Sequence, residues 1–270
     1  MNPLFSIIVV SLNAGDALIK TLQSIQCQTF TDYEVVIKDG GSSDNSLERI
    51  RDTFSDDDSF YEKLSLTVKK DSGIYDAMNQ GIELAKGSFL FFLNCGDFFK
   101  DETILSKVSS KINKDAKNTL YYGNIYNESL KTVISSNPKI DGFACFRNMP
   151  CHQAIFYSRD MFLERSYNTK YKVRGDYEHF LYSFYKKKSS FIYMDLVISS
   201  YEGGGFSETK KNIKRSKDEH KEITEMYMSK AELFKYKAIL ALTLQPLRSA
   251  LNNSKTFSLF YNKVKSRLYK

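Results

Sequence analysis

The sequence predicts an α/β fold, with a mainly parallel central sheet flanked by helices and continued by a C-terminal helical tail. Three observations carry this. Strand-like and helix-like runs alternate over the first hundred residues, which implies right-handed crossovers between parallel strands. The run from Phe89 to Leu93 is wholly apolar, as a central strand covered on both faces must be. Each early strand then runs into polar residues: Ser11 and Asn13, then Asp39, then Asp71, then Asn94 and Asp97. Parallel strands gather such exits at one edge of the sheet, where open α/β folds bind ligands.

The elements follow in order. Phe5 to Val10 is a β-rich first strand, and Asp16 can cap a helix whose Leu18, Leu22 and Ile25 recur at helical spacing. Tyr33 to Ile37 is the second strand, followed by the turn Asp39-Gly40-Gly41-Ser42-Ser43-Asp44. Leu47, Ile50 and Phe54 mark an amphipathic helix, Leu64 to Val68 a third strand, and Tyr75 to Lys86 a third helix that stops at Gly87. From about Thr119 to Val197 the pattern is less regular, because Pro138, Gly142 and Pro150 divide it into short pieces. Ala154 to Tyr157 and Phe191 to Ile198 read as strands, and an aromatic-rich helix opens at Gly175 and runs through Phe184. Gly203-Gly204-Gly205 suits a loop that closes over a ligand. Beyond Ser207 the chain reads as nearly continuous helix, kinked at Pro246.

Composition narrows the function classes. A chain of 270 residues with 42% hydrophobic and 26% charged residues forms one large domain, or one domain with an appendage. Cys27, Cys95, Cys145 and Cys151 show no paired spacing and read as reduced thiols of a cytosolic protein. Cys145, Cys151 and His152 fit no common zinc module. The apolar run Leu4 to Leu12 lacks a basic flank and is too short to span a bilayer, so no secretory signal is expected. A Rossmann dehydrogenase is excluded, because the first strand exits into Ser11-Leu12-Asn13-Ala14-Gly15 without a G-x-G-x-x-G turn.

Four motifs stand in sequence: Ser6-Ile7-Ile8-Val9-Val10-Ser11-Leu12-Asn13, the Asp39 to Asp44 turn, Asp71-Ser72-Gly73-Ile74-Tyr75-Asp76-Ala77-Met78-Asn79-Gln80-Gly81, and Phe92-Leu93-Asn94-Cys95-Gly96-Asp97. Together, over roughly residues 4–206, they resemble a family 2 glycosyltransferase of the GT-A fold, closest to the subgroup that builds bacterial surface polysaccharides and O-antigens. The resemblance implies an inverting transfer from a nucleotide-sugar donor, UDP-linked or otherwise activated, to a lipid-linked glycan. It implies that Ser11, Asn13, Asp39, Asp71, Asp76, Asn79 and Asn94 line the donor cleft, with Asp39 meeting the base or ribose. Asp97 matches the end of the acidic motif that holds Mn²⁺ or Mg²⁺ on the donor diphosphate, hard cations that prefer oxygen ligands. Asn94 and Gly96 stand where two acids often do, which weakens the expected metal affinity. Asp176, in Gly175-Asp176-Tyr177-Glu178, matches the catalytic base. His152 and Gln153 match a segment on the acceptor side, and Glu178 joins them there as the reserve carboxylate. Non-catalytic binding of a nucleotide sugar is the alternative within the family.

The net charge of +7 is unevenly placed. Of the 39 Lys and Arg, 15 lie from Thr209 to Lys270 against 5 of the 32 Asp and Glu, so residues 1–208 hold 24 against 27. The division expected is therefore a GT-A domain over residues 1–206 and a basic amphipathic helical tail over 207–270. Such a tail seeks an acidic surface. It carries no recognised nucleic-acid module, so no nucleic-acid partner is expected, and a nucleic-acid-binding protein that uses the basic tail is the alternative from another class. Leu233, Lys235, Lys237, Ile239, Leu240, Leu242, Leu244 and Leu247 mix apolar and basic residues, as an interfacial helix on anionic lipid does. This places the protein at the cytoplasmic face of the membrane. The tail's other uses are a cover for the domain or a homodimer interface.

Overall fold

The computed structural model describes residues 2–201 and 209–242. Its first half follows the expected alternation: β1 (Phe5–Ser11), α1 (Asp16–Gln26), β2 (Tyr33–Asp39), α2 (Ser46–Phe54), a single turn α3 (Asp58–Tyr61), β3 (Leu64–Val68), α4 (Ile74–Leu84) and β4 (Phe89–Phe92). β3, β2, β1 and β4 lie side by side and parallel, with Ser11 in register with Asp39. The polar exits therefore do converge on one edge. Gly15, with φ 51°, takes the N-cap position of α1, and Asp16 is the first helical residue.

The second half turns the sheet from parallel to mixed. It contains β5 (Phe98–Phe99), α5 (Ile104–Ser109), β6 (Thr119–Asn127), β7 (Thr132–Ile134), α6 (Gly142–Arg147), β8 (Ile155–Ser158), α7 (Asp160–Leu163), α8 (Gly175–Tyr182) and β9 (Ser190–Tyr201). The strand order is β3-β2-β1-β4-β8-β6-β9-β5, with β7 on β6. β8 runs antiparallel to both β4 and β6, and β9 parallel to β6. The nine-residue β6 lies where the sequence pattern is irregular. Its register shifts around Gly123 and Asn124, and a Cβ at Gly123 would sit 2.6 Å from the Leu196 carbonyl oxygen. Glycine and bulge together let β9 approach, and they erase the period-2 signal.

Side chains alternate between two apolar layers. Phe5, Ile7 and Val9 of β1 join α1, α2 and α5 on one face. Ile8, Leu90 and Phe92 join α4 and α8 on the other. The second layer also takes in α9 (Lys210–Tyr227) and α10 (Lys230–Leu242): Ile223 is fully buried, and Met228 and Tyr236 lie in the cluster that holds Tyr75 and Tyr177. The described part of the segment beyond residue 207 thus packs on the domain through α9 and α10. The helix is also not continuous. Ser229 and Glu232 hydrogen-bond each other's backbone N–H, a capping box that starts α10 afresh. The Gly203 to Gly205 loop, the Pro246 kink and residues 243–270 of the tail lie outside the described residues. Among the described residues no helix is long and apolar enough to cross a membrane.

Candidate active site

Asp176 sits in the first turn of α8, two residues past the N-cap Arg174. Its Oδ1 accepts from the Tyr177 N–H at 2.8 Å and lies 2.8 Å from the Tyr75 hydroxyl. That hydroxyl also lies 2.9 Å from the Val173 carbonyl. The approach depends on Gly175, where an added Cβ would meet the Tyr75 ring at 2.8 Å. The other carboxylate oxygen, Oδ2, faces His152 Nδ1 at 3.6 Å. Across the ring, His152 Nε2 lies 2.9 Å from Asn94 Nδ2. Burial holds the His152 pKa below its ordinary value, and the Asp176 charge opposes that shift. A chain of contacts thus runs from α4 through the α8 carboxylate and an imidazole to the exit of β4.

Asp97 lies in that same exit turn, where its N–H donates to the Asn94 carbonyl at 3.0 Å. Buried Thr21 of α1 fixes the turn, donating to the Asp97 carbonyl at 2.8 Å and accepting from the Gly96 N–H at 2.9 Å. The Asp97 carboxyl is pushed up to about 7 by burial, and among the described residues no ion pair is formed with it. Such a group fits a hard cation that arrives with its own phosphate oxygens, as Mg²⁺ often does. Among the described residues no three His, Cys, Asp or Glu side chains gather into a metal cage.

Beside these groups opens a cavity of about 520 Å³, the size of ordinary small-molecule sites. Ser11, Asp71, Tyr75, Asp76, Lys172 and Arg215 are among its walls. Asp71 is fixed by buried Lys38, whose Nζ lies 3.0 Å from its carboxylate and also bonds the Asp39 and Lys69 carbonyls. Asp76 accepts the Ser72 N–H at 2.7 Å, which lowers its pKa. The Ser11 hydroxyl is buried beside the Cys95 thiol. A second cavity of about 350 Å³ lies between residues 134 and 151, walled by Ile140, Arg147, Asn148 and Cys151. It ends one residue short of His152, and Arg174 Nη1 reaches Asn148 Oδ1 at 2.9 Å.

The family model for glycosyl transferase family 2 matches residues 6–184. The chain belongs to this family. The transferase is 36% identical over 209 residues to the PGL/p-HBAD biosynthesis glycosyltransferase of Mycobacterium bovis (strain BCG / Pasteur 1173P2), across 77% of this chain and 80% of that one. Its fold is similar to S. aureus TarS 1-349 in complex with UDP-GlcNAc, with TM-score 0.65 and 16% identity over 86% of this chain and 69% of that one. It is also similar to the mannosyltransferase PcManGT from Pyrobaculum calidifontis in complex with GDP-Man and Mn²⁺, with TM-score 0.57 and 13% identity over 98% and 87% of the two chains. In another TarS structure the transferase spans 37% of the longer chain. The α/β architecture expected from the sequence is thus the GT-A architecture.

Several of the expected site residues of the transferase make bonds within the protein. Glu178 does not face the cleft. It is fully buried, accepting from Arg165 Nη2 at 2.7 Å and from the Tyr227 hydroxyl, because two positions along a helix from Asp176 turn it inward. Asn79 spends its whole amide on the backbone of Tyr167, at 2.9 Å in both directions. Asp39 is buried and accepts the Gly41 and Ser42 N–H groups at 2.8 and 2.7 Å, so its carboxylate shapes its own turn. Asn13, at φ 50°, accepts the Ser43 N–H at 2.8 Å and ties the β1 exit to that turn. Gln153 is buried, with its carbonyl bonded to Ser199 Oγ at 2.6 Å. These five hold the walls. Replacing Arg165 with Ala strands the Glu178 carboxylate in the core, and a loss of about 3 kcal/mol in denaturant unfolding is expected with kcat unchanged. A fall in kcat without a fall in stability would return Glu178 to the cleft.

Proposed function

We propose that the enzyme transfers a hexosyl or N-acetylhexosaminyl group from a UDP-linked donor to a hydroxyl of a lipid-linked glycan, with inversion, in surface polysaccharide synthesis. The observation that carries this is Asp176, held between Tyr75, which walls the larger cavity, and His152, which follows Cys151 of the smaller one. Asp176 takes the acceptor proton as that oxygen attacks the anomeric carbon, and the bond to the nucleoside diphosphate breaks. Tyr75 and His152 fix the direction of the carboxylate. The donor occupies the larger cavity, where Asp71, Asp76 and the Ser11 hydroxyl offer polar contacts. The buried, unpartnered Asn94 Oδ1 is available to a sugar hydroxyl. The acceptor enters from the residue 134–151 side, next to His152. Asp97 would hold a divalent cation, Mn²⁺ or Mg²⁺, which supplies positive charge to the leaving diphosphate.

UDP-GlcNAc in TarS supports a UDP donor, and the named role of the mycobacterial relative in PGL/p-HBAD biosynthesis supports a biosynthetic glycosyl transfer. GDP-Man and Mn²⁺ in PcManGT support the cation and supply the competing nucleotide. A thermal-shift series with UDP, UDP-GlcNAc and GDP-Man, with and without Mn²⁺, tests the reading. The matching donor at about a hundredfold excess over Kd should raise Tm by about 5 °C. No response to any of them would end it. Asp97→Ala should weaken donor binding at least tenfold in Mn²⁺ and leave binding in excess chelator unchanged, a difference calorimetry reads directly. Equal wild-type affinity with and without chelator would remove the cation from Asp97.

The peripheral position at the inner membrane face rests on α10. Phe234 and Leu242 are 77% and 82% exposed, with Lys235 and Lys237 exposed beside them. Leu233, Ile239 and Leu240 instead pack inward. Wild type should sediment with anionic vesicles, and the Phe234→Ser, Leu242→Ser double variant should bind about tenfold more weakly. Equal sedimentation would reject the docking role, and a concentration-dependent dimer without vesicles would assign the patch to a second copy.

A further inference from the structure

The turn at the exit of β4 begins with an amide where a carboxylate would serve a cation better, and that amide is committed to a ring. Asn94 Nδ2 lies 2.9 Å from His152 Nε2, and His152 Nδ1 faces Asp176 Oδ2 at 3.6 Å. An amide nitrogen can only donate, so Nε2 must present its lone pair. A carboxylate accepts and does not donate, and Oδ2 at 3.6 Å from Nδ1 draws the ring proton to that nitrogen by charge, without a hydrogen bond. The two neighbours, on separate elements, demand the same tautomer.

We propose that Asn94 is a positioning residue for Asp176, acting through His152: it fixes the imidazole as the neutral Nδ1–H form, which keeps one N–H aimed at the carboxylate. The proposal rests on Asp176 being the base. It gives the missing acid at position 94 a chemical reason. A carboxylate there would set the ring between two anions and favour protonation at both nitrogens. An imidazolium beside Asp176 would hold the carboxylate in its charged form more strongly and make it a weaker proton acceptor. Asp176 of α8 is the anion facing the ring, and Asp97 shares the Asn94 turn. The nearby phenols of Tyr75, Tyr157 and Tyr167 stay protonated, because burial pushes each of them up.

Nuclear magnetic resonance of the full chain labelled with ¹⁵N at histidine decides this. The chain has three histidines, and burial drives His179 and His220 down to about 4. Burial lowers the His152 midpoint as well, and the signals that vanish in His152→Gln identify that ring. The wild-type spectrum at neutral pH should show Nδ1 protonated and Nε2 bare. Asn94→Asp should raise the His152 midpoint by about one unit or more, and Asp176→Asn should lower it. A wild-type Nε2–H tautomer would overturn the proposal without any variant. So would an unmoved midpoint in folded Asn94→Asp. Failure of Asp176→Asn to slow transfer would instead refute the base, and the tautomer result would stand apart from it.

Discussion

Asp176→Asn should lower kcat by about 10²–10⁴-fold while leaving donor affinity within about twofold of wild type. The amide keeps the shape of the carboxylate and can still accept from Tyr75 and from the Tyr177 N–H, both at 2.8 Å in the wild type. What it loses is the ability to take a proton. Titration calorimetry with the donor and a transfer assay on the same preparation separate the two effects. Retention of more than about a tenth of the wild-type rate would reject Asp176 as the base. Because Asp176 has Arg174 before it as the N-cap, a role confined to helix capping does not account for its placement.

The second large effect belongs to a residue of α9. The Glu219 carboxylate accepts three successive backbone N–H groups, those of Lys172, Val173 and Arg174, at 2.9, 3.0 and 2.8 Å. It therefore fixes the segment that leads into Asp176. Arg174 Nε also reaches Ser216 Oγ at 2.8 Å, and His220 stacks on Tyr177 with ring centroids 4.9 Å apart. Glu219→Ala should cost about 2 kcal/mol, since charge-assisted bonds at a half-buried site are lost. A fall in Tm of about 5 °C follows for a domain of this size. The rate should drop at least tenfold as well, because small displacements of a catalytic group are costly. Calorimetric Tm and steady-state kcat test both parts together. If Glu219→Ala keeps both, the helix is a cover and takes no part in placing the base. Truncation near residue 205 would remove this clamp along with buried Ile223, so lipid binding is better tested with the α10 surface substitutions.

Much of the parallel half was legible. The runs Phe5 to Val10, Tyr33 to Ile37, Leu64 to Val68 and Phe89 to Leu93 carry their own strand signal, and parallel pairing then sets Ser11, Asp39, Asp71 and Asn94 on one edge. The rest was hidden for identifiable reasons. β6 is buried along nearly its whole length yet contains Gly123, Asn124 and Asn127, so neither alternation nor an apolar run marks it. β5 is two residues long, below any periodic signal. Lys38 looks like a solvated charge in the sequence, but its ammonium is buried against two carbonyls and Asp71. Tyr75, Thr21 and Glu219 carry no motif chemistry of their own. Their roles exist only because chain segments 75 to 101 residues apart in sequence, or in the case of Glu219 about 45, meet in space.

The sequence by itself determined the family, the α/β order of the first hundred residues and the edge at which the polar exits collect, because these depend on local periodicity and on motif spacing. Only the tertiary structure decided which of those polar groups remain available to a ligand. Asp71 and Asp76 accept backbone N–H groups as Asp39 does, but they stand in the wall of the larger cavity, while an arginine holds Glu178 in the core. It likewise decided that α9 belongs to the site, since an amphipathic basic helix reads the same whether its apolar face meets lipid or its own domain. Hydrogen-bond capacity and buried surface are assigned by whichever neighbour the fold brings near, and a linear sequence does not state that neighbour.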